Sequence, residues 1–202
     1  VEGRKNQAGA LRACRYVTTP GQGRKCTLLI VGDPTGSHAL KELANDARRY
    51  VNVEYTGYVN DADLSVLLGK SDVFLFPSLW EGFGIPILEA MTAGVPVVCS
   101  KLSSMVEVGG DWAFYCDPYE PKSIAGAIRN ALALTGDSRS QWISTAKSWA
   151  ATFTWDRMAS SIMEVLEESC DQAVRGSGRR DRHGRERQGV GVRRQPDRSP
   201  AA

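Results

Sequence analysis

The sequence of 202 residues is long enough for a single compact α/β core, and its 42% hydrophobic and 24% charged residues are ordinary globular usage. This composition excludes a wholly disordered, collagen-like or disulfide-scaffold chain. No apolar run approaches the roughly 18 residues that a membrane-spanning helix needs, and the first residues lack the apolar stretch of a signal peptide. We therefore expect a cytoplasmic protein whose contact with membranes is peripheral at most.

The charges are segregated along the chain. Residues 171–202 hold nine arginines against four acidic residues, whereas the residues before them hold 16 basic and 19 acidic ones. The mildly acidic part lacks the basic face that nucleic-acid binding needs, so no nucleic acid is expected as its partner. Residues 171–202 have few large apolar side chains, which predicts a disordered Arg/Gly-rich tail. This tail has three interpretations: a frameshifted read-through, a solvated basic linker, or a segment that binds nucleic acid or an anionic surface.

Short apolar runs alternate with segments of helical periodicity along most of the chain. The predicted strands occupy 26–32, 51–57, 72–78, 95–100 and 113–118. The predicted helices occupy 5–17, 37–50, 61–70, 86–94, 104–109, 121–135, 138–151 and 155–169. This alternation predicts an α/β fold in which helices cover both faces of a doubly wound, Rossmann-like parallel sheet. The strand preceding the first helix would lie ahead of Val1.

Several side chains are assigned structural roles. Four aromatic residues near the last two helices are expected to pack on the core: Trp142, Trp149, Phe153 and Trp155. The cysteines share no metal-ligand spacing and are expected to be reduced thiols, mostly in the core: Cys14, Cys26, Cys99, Cys116 and Cys170. Ser104 and Glu107 have the spacing of a helix capping box. Asp33, at the end of the first strand, fits a cleft residue and a loop cap equally well.

Residues 72–100 carry the strongest chemical signal. The strand ends at Pro77, a glycine-bearing loop follows, and Pro86 opens the next helix, where a missing N–H costs no hydrogen bond. Backbone N–H groups from Gly84 to Leu88 therefore cluster at the positive end of a helix and at the carboxyl edge of a strand. This arrangement predicts an anion-binding site.

Two carboxylates flank the predicted anion site. Glu89 is expected in the first helical turn, with its side chain directed back toward the anion, where it can accept hydrogen bonds from vicinal hydroxyls. Glu81 leads the glycine loop on the other side. A nucleotide sugar, which has hydroxyls on both sides of a diphosphate, fits this pattern. On the residues alone, a charge that complements the helix dipole and an ordinary loop charge explain the two carboxylates equally well.

Glu81 and Glu89 also form a Glu-x7-Glu pattern within FPSLWEGFGIPILEAMTAGVPVV, a stretch that resembles the signature of family 4 retaining glycosyltransferases. Four further segments occur in the order and spacing of that family's C-terminal, donor-binding domain: RKN at 4–6, LLIVGD at 28–33, VEYTGYV at 53–59 and MVEVGGDWAFYCDP at 105–118. The resemblance covers roughly residues 3–170. It implies that residues 1–170 are the donor-binding domain in the C-terminal half of a GT-B fold.

The resemblance implies roles for the residues that match the family. Glu89 would bind the ribose hydroxyls of the donor. The sugar would be held by Glu81 and by the backbone of three following residues, Gly82, Phe83 and Gly84. Phosphate oxygens would be bound by the amides near Ile85 and Leu88.

Two basic side chains and one turn of the backbone complete the implied site. Lys5, assisted by Arg4, would neutralise the diphosphate leaving group, so that Glu81, Lys5 and Arg4 are the expected catalytic residues. Tyr58 and Val59 lie in the turn where backbone groups would contact the base.

The implied reaction transfers a hexose, with retention, from a GDP- or UDP-linked sugar to a hydroxyl of a glycan or lipid-linked acceptor. No metal ion or other cofactor is expected, because Lys5 and the helix terminus can stabilise the leaving group. The family's N-terminal acceptor-binding domain has no counterpart in this chain, so the isolated chain is expected not to transfer sugar. Two other functions stay open: a non-catalytic nucleotide-sugar binding module and an Arg-tailed interaction protein that retains the fold.

Overall fold

The computed structural model describes residues 3–17, 26–32 and 38–177. The strands are β1 (Thr27–Ile30), β2 (Asn52–Tyr55), β3 (Phe74–Phe76), β4 (Val97–Ser100) and β5 (Ala113–Cys116). The α-helices are α1 (Gln7–Val17), α2 (His38–Ala47), α3 (Asp61–Gly69), α4 (Ile85–Ala93), α5 (Ser104–Gly109), α6 (Pro121–Leu132), α7 (Gly136–Ala150) and α8 (Trp155–Ser177). Two short 3₁₀ helices span Gly3–Lys5 and Gly110–Trp112.

The predicted alternation of strands and helices is confirmed, because every predicted element corresponds to an observed one. The largest difference is at α8, which continues to Ser177, beyond the predicted boundary at residue 170. Asp33 and residues 178–202 lie outside the described residues, so the cleft role of the former and the disorder of the latter stay predictions.

The Rossmann-like α/β arrangement is present, but the strands form two parallel sheets instead of the single predicted one. One sheet has the order β1-β2 and the other the order β3-β4-β5. In the described ranges, β1 pairs only with β2, and the outer strand β3 pairs only with β4. No ladder of backbone hydrogen bonds in these ranges therefore joins the two sheets. All residues of β4 are buried, as expected for a central parallel strand with helices on both faces.

Helix α1 packs against the cores of both sheets. Its Ala13 is fully buried with Val98 of β4 and Ile124 of α6. Its Leu11 and Cys14 are buried in the separate core of β1, β2 and α2. A helix that contributes to both cores fixes the position of the short segment before it, which carries Arg4 and Lys5.

The third core lies between the larger sheet and helices α4, α5 and α7. The predicted packing of Trp142, Trp149 and Phe153 on a core is confirmed there. The indole N–H of Trp149 donates a hydrogen bond to the carbonyl of Val108 at 2.8 Å, which satisfies the polar atom of a large apolar side chain. Trp155, the first residue of α8, has a side chain that is 77% exposed.

The chain divides into two compact units, residues 1–153 and residues 154–202. The described part of the second unit is the single helix α8. The cysteine prediction is confirmed for Cys14, Cys99 and Cys116, which are buried free thiols, whereas Cys170 on α8 is exposed.

Replacing Ile124 with Ala tests the packing between α1, α6 and β4. Ile124 is fully buried, so Ile124→Ala should lower the free energy of unfolding by about 2–5 kcal/mol, through lost burial and a residual cavity. Urea denaturation followed by circular dichroism measures this loss. Val66→Ala, at a position that is 54% exposed, is the matched control and should change stability by no more than about 0.5 kcal/mol. Equal losses in both variants would contradict the described core.

Candidate functional site

The loop after β3 and the beginning of α4 form the centre of the site. Gly84 is the N-cap residue of α4 and has φ 103° and ψ 37°, a left-handed conformation that favours glycine. A Cβ atom at Gly84 would also lie 3.3 Å from Cδ1 of Ile87. Glycine therefore lets the chain turn sharply from the loop into the helix.

The first turn of α4 presents the predicted anion-binding amides. Pro86 has no N–H, and the N–H of Ile87 donates to the carbonyl of Gly84 at 2.9 Å. Ile85 and Leu88 supply the first-turn amides that are not bonded to the N-cap residue. Because the first N–H groups of a helix have no intrahelical acceptor, these amides suit an anion.

A buried carboxylate lies beside this helix terminus and is bound by two cations. Glu81 is 8% exposed; its Oε2 contacts Nη1 of Arg4, and its Oε1 lies 2.8 Å from Nζ of Lys5. The Lys5 ammonium also lies 4.7 Å from the ring centroid of Phe76. The structure therefore brings together all three residues that were expected to be catalytic, although Glu81 lies 77 positions from Arg4 and 76 from Lys5 in the sequence.

Backbone hydrogen bonds attach the cation-bearing segment to the loop. The N–H of Leu79 donates to the carbonyl of Arg4 at 2.8 Å, and Nη1 of Arg4 donates to the carbonyl of Trp80 at 3.3 Å. Asn6, which has φ 51°, caps α1 by accepting from the N–H of Gly9 and donates to the carbonyl of Pro118. The cations are thus held by main-chain contacts as well as by Glu81.

The ion pairs determine the protonation of Glu81. Burial acts to raise the pKa of this carboxyl group, but hydrogen bonding from Lys5 and Ser78, the charge of Lys5 and hydrogen bonding from Arg4 outweigh burial and lower the pKa below its usual value. Glu81 is therefore ionised at neutral pH. Two cations around one carboxylate leave a net positive charge next to the amides of α4.

Sequence reasoning missed two serines that bind the backbone of Glu81. The N–H of Glu81 donates to Oγ of Ser103 at 3.2 Å, and Oγ of Ser104 donates to the carbonyl of Glu81 at 3.0 Å. The predicted capping box of Ser104 and Glu107 is wrong, because Ser103 is the N-cap residue of α5 and makes no side-chain capping bond. The sequence marked the beginning of this helix correctly but gave no sign of a partner 22 residues away.

Glu89 lies on α4, but one turn later than predicted. The helix begins at Ile85, and its first turn contains no acidic residue. The Glu89 residue is exposed, and within the described ranges its carboxylate forms no ion pair or side-chain hydrogen bond. It is therefore available to accept hydrogen bonds from a ligand that approaches this face of the helix.

Tyr58 and Val59 follow the other sheet, at the carboxyl end of β2. Gly57 has φ 69°, and its carbonyl accepts from the N–H of Gly32 at 2.9 Å, which ties this turn to the end of β1. The Tyr58 side chain is 91% exposed. No hydrogen bond in the described part of the chain connects Tyr58 or Val59 to the loop of Glu81, so the structure does not join these two predicted parts of the site.

The two glycines of the loop 82–84 differ in whether the fold requires glycine at their position. Gly82 has no positive φ, and a Cβ atom there would meet nothing within 4 Å, so the fold itself does not require glycine at this position. The ring of Phe83 packs edge-to-face on Phe153, with centroids 6.2 Å apart. Gly82 thus leaves open space beside Glu81, where a ligand can approach the backbone closely.

Among residues 3–17, 26–32 and 38–177, no three His, Cys, Asp or Glu side chains are grouped so as to hold a metal ion. No helix in these ranges combines the length and the apolar character needed to cross a membrane.

Comparison with known proteins identifies the family of this chain. A family model described as glycosyl transferases group 1 matches residues 1–149, which is most of the chain. The chain belongs to this family. It is 38% identical over 171 residues to the O-antigen chain mannosyltransferase B of Escherichia coli, an alignment that covers 83% of this chain and 44% of the relative.

Another relative and a solved structure extend the comparison. The chain is 31% identical over 115 residues to the GDP-mannose-dependent alpha-(1-6)-phosphatidylinositol dimannoside mannosyltransferase of Mycobacterium tuberculosis, covering 56% of this chain and 29% of that protein. WaaG, a glycosyltransferase involved in lipopolysaccharide biosynthesis, matches with a TM-score of 0.62 and 26% identity, covering 75% of this chain and 40% of WaaG. The α/β fold is that of the GT-B glycosyltransferases. The chain spans less than half the length of the first curated relatives it matches.

The pH dependence of stability tests the ion pairs of Glu81. Because the pKa of Glu81 is lower in the folded chain, the unfolded chain binds more protons, and the stability from this carboxylate is present above the unfolded pKa and lost as the pH falls through the folded pKa. Between about pH 6 and about pH 3, the wild type should therefore lose more unfolding free energy than Glu81→Gln. Urea midpoints measured across this range give both slopes, and parallel slopes would contradict the ion pairs.

Replacing Gly82 with Ala tests whether the open space at this glycine is used by a ligand. Gly82→Ala should leave the melting temperature unchanged, because the added Cβ meets no protein atom. It should weaken nucleotide-sugar binding by about 1–3 kcal/mol, since the methyl group occupies the ligand's space. Gly69→Ala, at another glycine with open space, is the matched control and should bind normally. Normal binding by Gly82→Ala, measured by calorimetric titration, would remove Gly82 from the site.

Proposed function

We propose that this chain forms the donor-binding part of a retaining glycosyltransferase that transfers mannose from GDP-mannose to a hydroxyl of a glycan or lipid-linked acceptor. The observation that carries the proposal is the cluster of Arg4, Lys5 and Glu81 beside the first turn of α4. The mannose donor is favoured by two relatives whose names specify mannosyl transfer, one of them from GDP-mannose.

The diphosphate would bind between the cations and α4. Lys5 and Arg4 offer positive charge, and Ile85 and Leu88 offer amides aimed along the helix axis. In the described structure both cations contact Glu81. A bound diphosphate would therefore interact with the same two cations as Glu81. These cations would couple the diphosphate end of the donor site electrostatically to the sugar end, where Glu81 lies.

The sugar and the nucleoside would lie on opposite sides of the diphosphate. The sugar would contact Glu81 and the backbone of the loop 82–84, where the open space at Gly82 admits it. The free carboxylate of Glu89 would accept hydrogen bonds from the ribose hydroxyls. Tyr58 and Val59 would contact the base, a part of the proposal that rests on the family resemblance alone.

The chemistry requires stabilisation of a leaving group. Transfer breaks the bond between the anomeric carbon and a diphosphate oxygen and forms a bond from that carbon to the acceptor oxygen, on the same face when the reaction retains configuration. The acceptor proton neutralises the departing diphosphate. Lys5, Arg4 and the α4 amides stabilise the negative charge that develops on the leaving oxygen, and removal of one such donor costs about 3–4 kcal/mol of transition-state stabilisation.

The proposal includes no metal ion, because Lys5 and Arg4 together with the helix terminus supply the positive charge that the leaving diphosphate needs. A second domain would provide the acceptor pocket and orient its hydroxyl toward the anomeric carbon, and such orientation supplies roughly 7–11 kcal/mol of a barrier. The isolated chain would therefore bind the donor without transferring sugar. The cytoplasmic location, where nucleotide sugars are available, is part of the same proposal.

Calorimetric titration with GDP, GDP-mannose and UDP-glucose tests the assigned donor and the division of roles between the two glutamates. The wild type should bind GDP-mannose more tightly than UDP-glucose. Glu89→Ala should weaken both GDP and GDP-mannose by about 1.5–3 kcal/mol, because it removes hydrogen bonds from a charged group to the ribose. Glu81→Ala should spare GDP and weaken GDP-mannose, because its proposed partner is the sugar.

The matched control for Glu89 is Glu42→Ala, since Glu42 is an exposed carboxylate at the same position relative to the start of its helix. It should bind all three ligands as the wild type does. Equal losses for GDP and GDP-mannose in both Glu81→Ala and Glu89→Ala would refute the division of roles. Unchanged binding in both variants would refute the donor site.

A further inference from the structure

Ser103, between β4 and α5, has a backbone conformation that serine rarely adopts. Its φ is 49° and its ψ is −148°. Gly110, at the other end of α5, has nearly the same conformation, with φ 52° and ψ −139°. This region suits glycine, and a residue with a side chain is strained there. The chain thus keeps a serine at a position where glycine would relieve strain.

The hydroxyl of Ser103 is not used by its own helix. An N-cap serine ordinarily accepts a hydrogen bond from the N–H of the second or third residue of the helix it begins. Ser103 is the N-cap residue of α5 but makes no such bond. Its Oγ instead accepts from the N–H of Glu81.

The next residue holds the other backbone group of Glu81. Oγ of Ser104 donates to the Glu81 carbonyl. With Arg4 and Lys5 on its two carboxylate oxygens, Glu81 has a partner at each of its four polar atoms. The two serines fix the main chain at the point from which both the Glu81 side chain and the open loop at Gly82 extend.

We propose that Ser103 and Ser104 are positioning residues for the donor sugar, which they influence by fixing Glu81 and the loop 82–84. This proposal rests on the proposed function of Glu81 as a sugar ligand. It explains why the strained conformation carries a hydroxyl: the Ser103 side chain supplies the acceptor for the Glu81 N–H, which a glycine would not. The expected effect falls on the sugar end of the donor and not on its nucleoside diphosphate.

Four variants of the 202-residue chain test the proposal by titration with GDP and GDP-mannose. Ser103→Gly removes the hydroxyl and relieves the strain, so its melting temperature should equal or exceed that of the wild type. Its affinity for GDP-mannose relative to GDP should fall by about three- to tenfold, as expected for one lost hydrogen bond. Ser104→Ala should show a similar fall, and Ser104→Thr, which keeps the hydroxyl, should restore the wild-type ratio. Ser148→Ala, at an exposed serine on α7, is the control and should bind as the wild type does.

A double variant separates positioning from a general structural effect. If Ser103 acts through Glu81, the affinity ratio of Glu81→Ala combined with Ser103→Gly should equal that of Glu81→Ala alone. Independent effects that add would overturn the proposal. Hydrogen exchange without ligand gives a second measurement: the Glu81 amide should exchange faster in Ser103→Gly than in the wild type, and an unchanged rate would overturn the assigned hydrogen bond.

The outcomes distinguish this proposal from the function it rests on. If the wild type binds neither ligand, or if Glu81→Ala leaves the affinity ratio unchanged, the proposed role of Glu81 fails, and the positioning role fails with it. If Glu81→Ala lowers the ratio while Ser103→Gly and Ser104→Ala do not, only the positioning role is overturned. A lowered ratio in all three variants, with rescue by Ser104→Thr, supports both proposals.

Discussion

The ion-paired carboxylate of Glu81 is the interaction on which the arrangement of the site depends. A carboxylate that is 8% exposed is costly to bury unless cations and hydrogen bonds compensate for lost hydration. Arg4 and Lys5 provide this compensation from a segment far away in the sequence, and two serines satisfy the backbone of the same residue. Three separate stretches of chain, near residues 4, 81 and 103, therefore meet around a single buried charge.

The rest of the fold makes this meeting possible. Helix α1 is anchored in the cores of both sheets, so the cations that precede it are placed with little freedom. The parallel strands β3 and β4 direct the loop of Glu81 and the beginning of α5 to the same edge of their sheet. In this molecule, helix packing and strand direction determine where the charged side chains lie. The attraction between the charged residues acts only after that.

Local patterns in the sequence predicted the elements well, because hydrophobic periodicity and turn residues act within a few positions. The same locality explains the errors. The turn of α4 that holds Glu89 depended on Gly84 serving as the N-cap residue, and the partner of Ser103 lay 22 positions away. The division of the strands into two sheets depends on which elements adjoin each other, which periodicity does not encode. The cluster of Arg4, Lys5 and Glu81 was predicted only through resemblance to a family, since nothing local links these residues.

The buried thiols of the larger sheet have a consequence for how this protein responds to oxidants and alkylating reagents. Burial raises the pKa of Cys99 to about 12 and that of Cys116 to about 12. The thiolate is the reactive form, so both side chains are inert while the sheet is intact. Cys170, exposed on α8, is accessible from the start. Timed modification of these thiols would thus record the opening of β4 and β5 directly, with the native cysteines serving as the label.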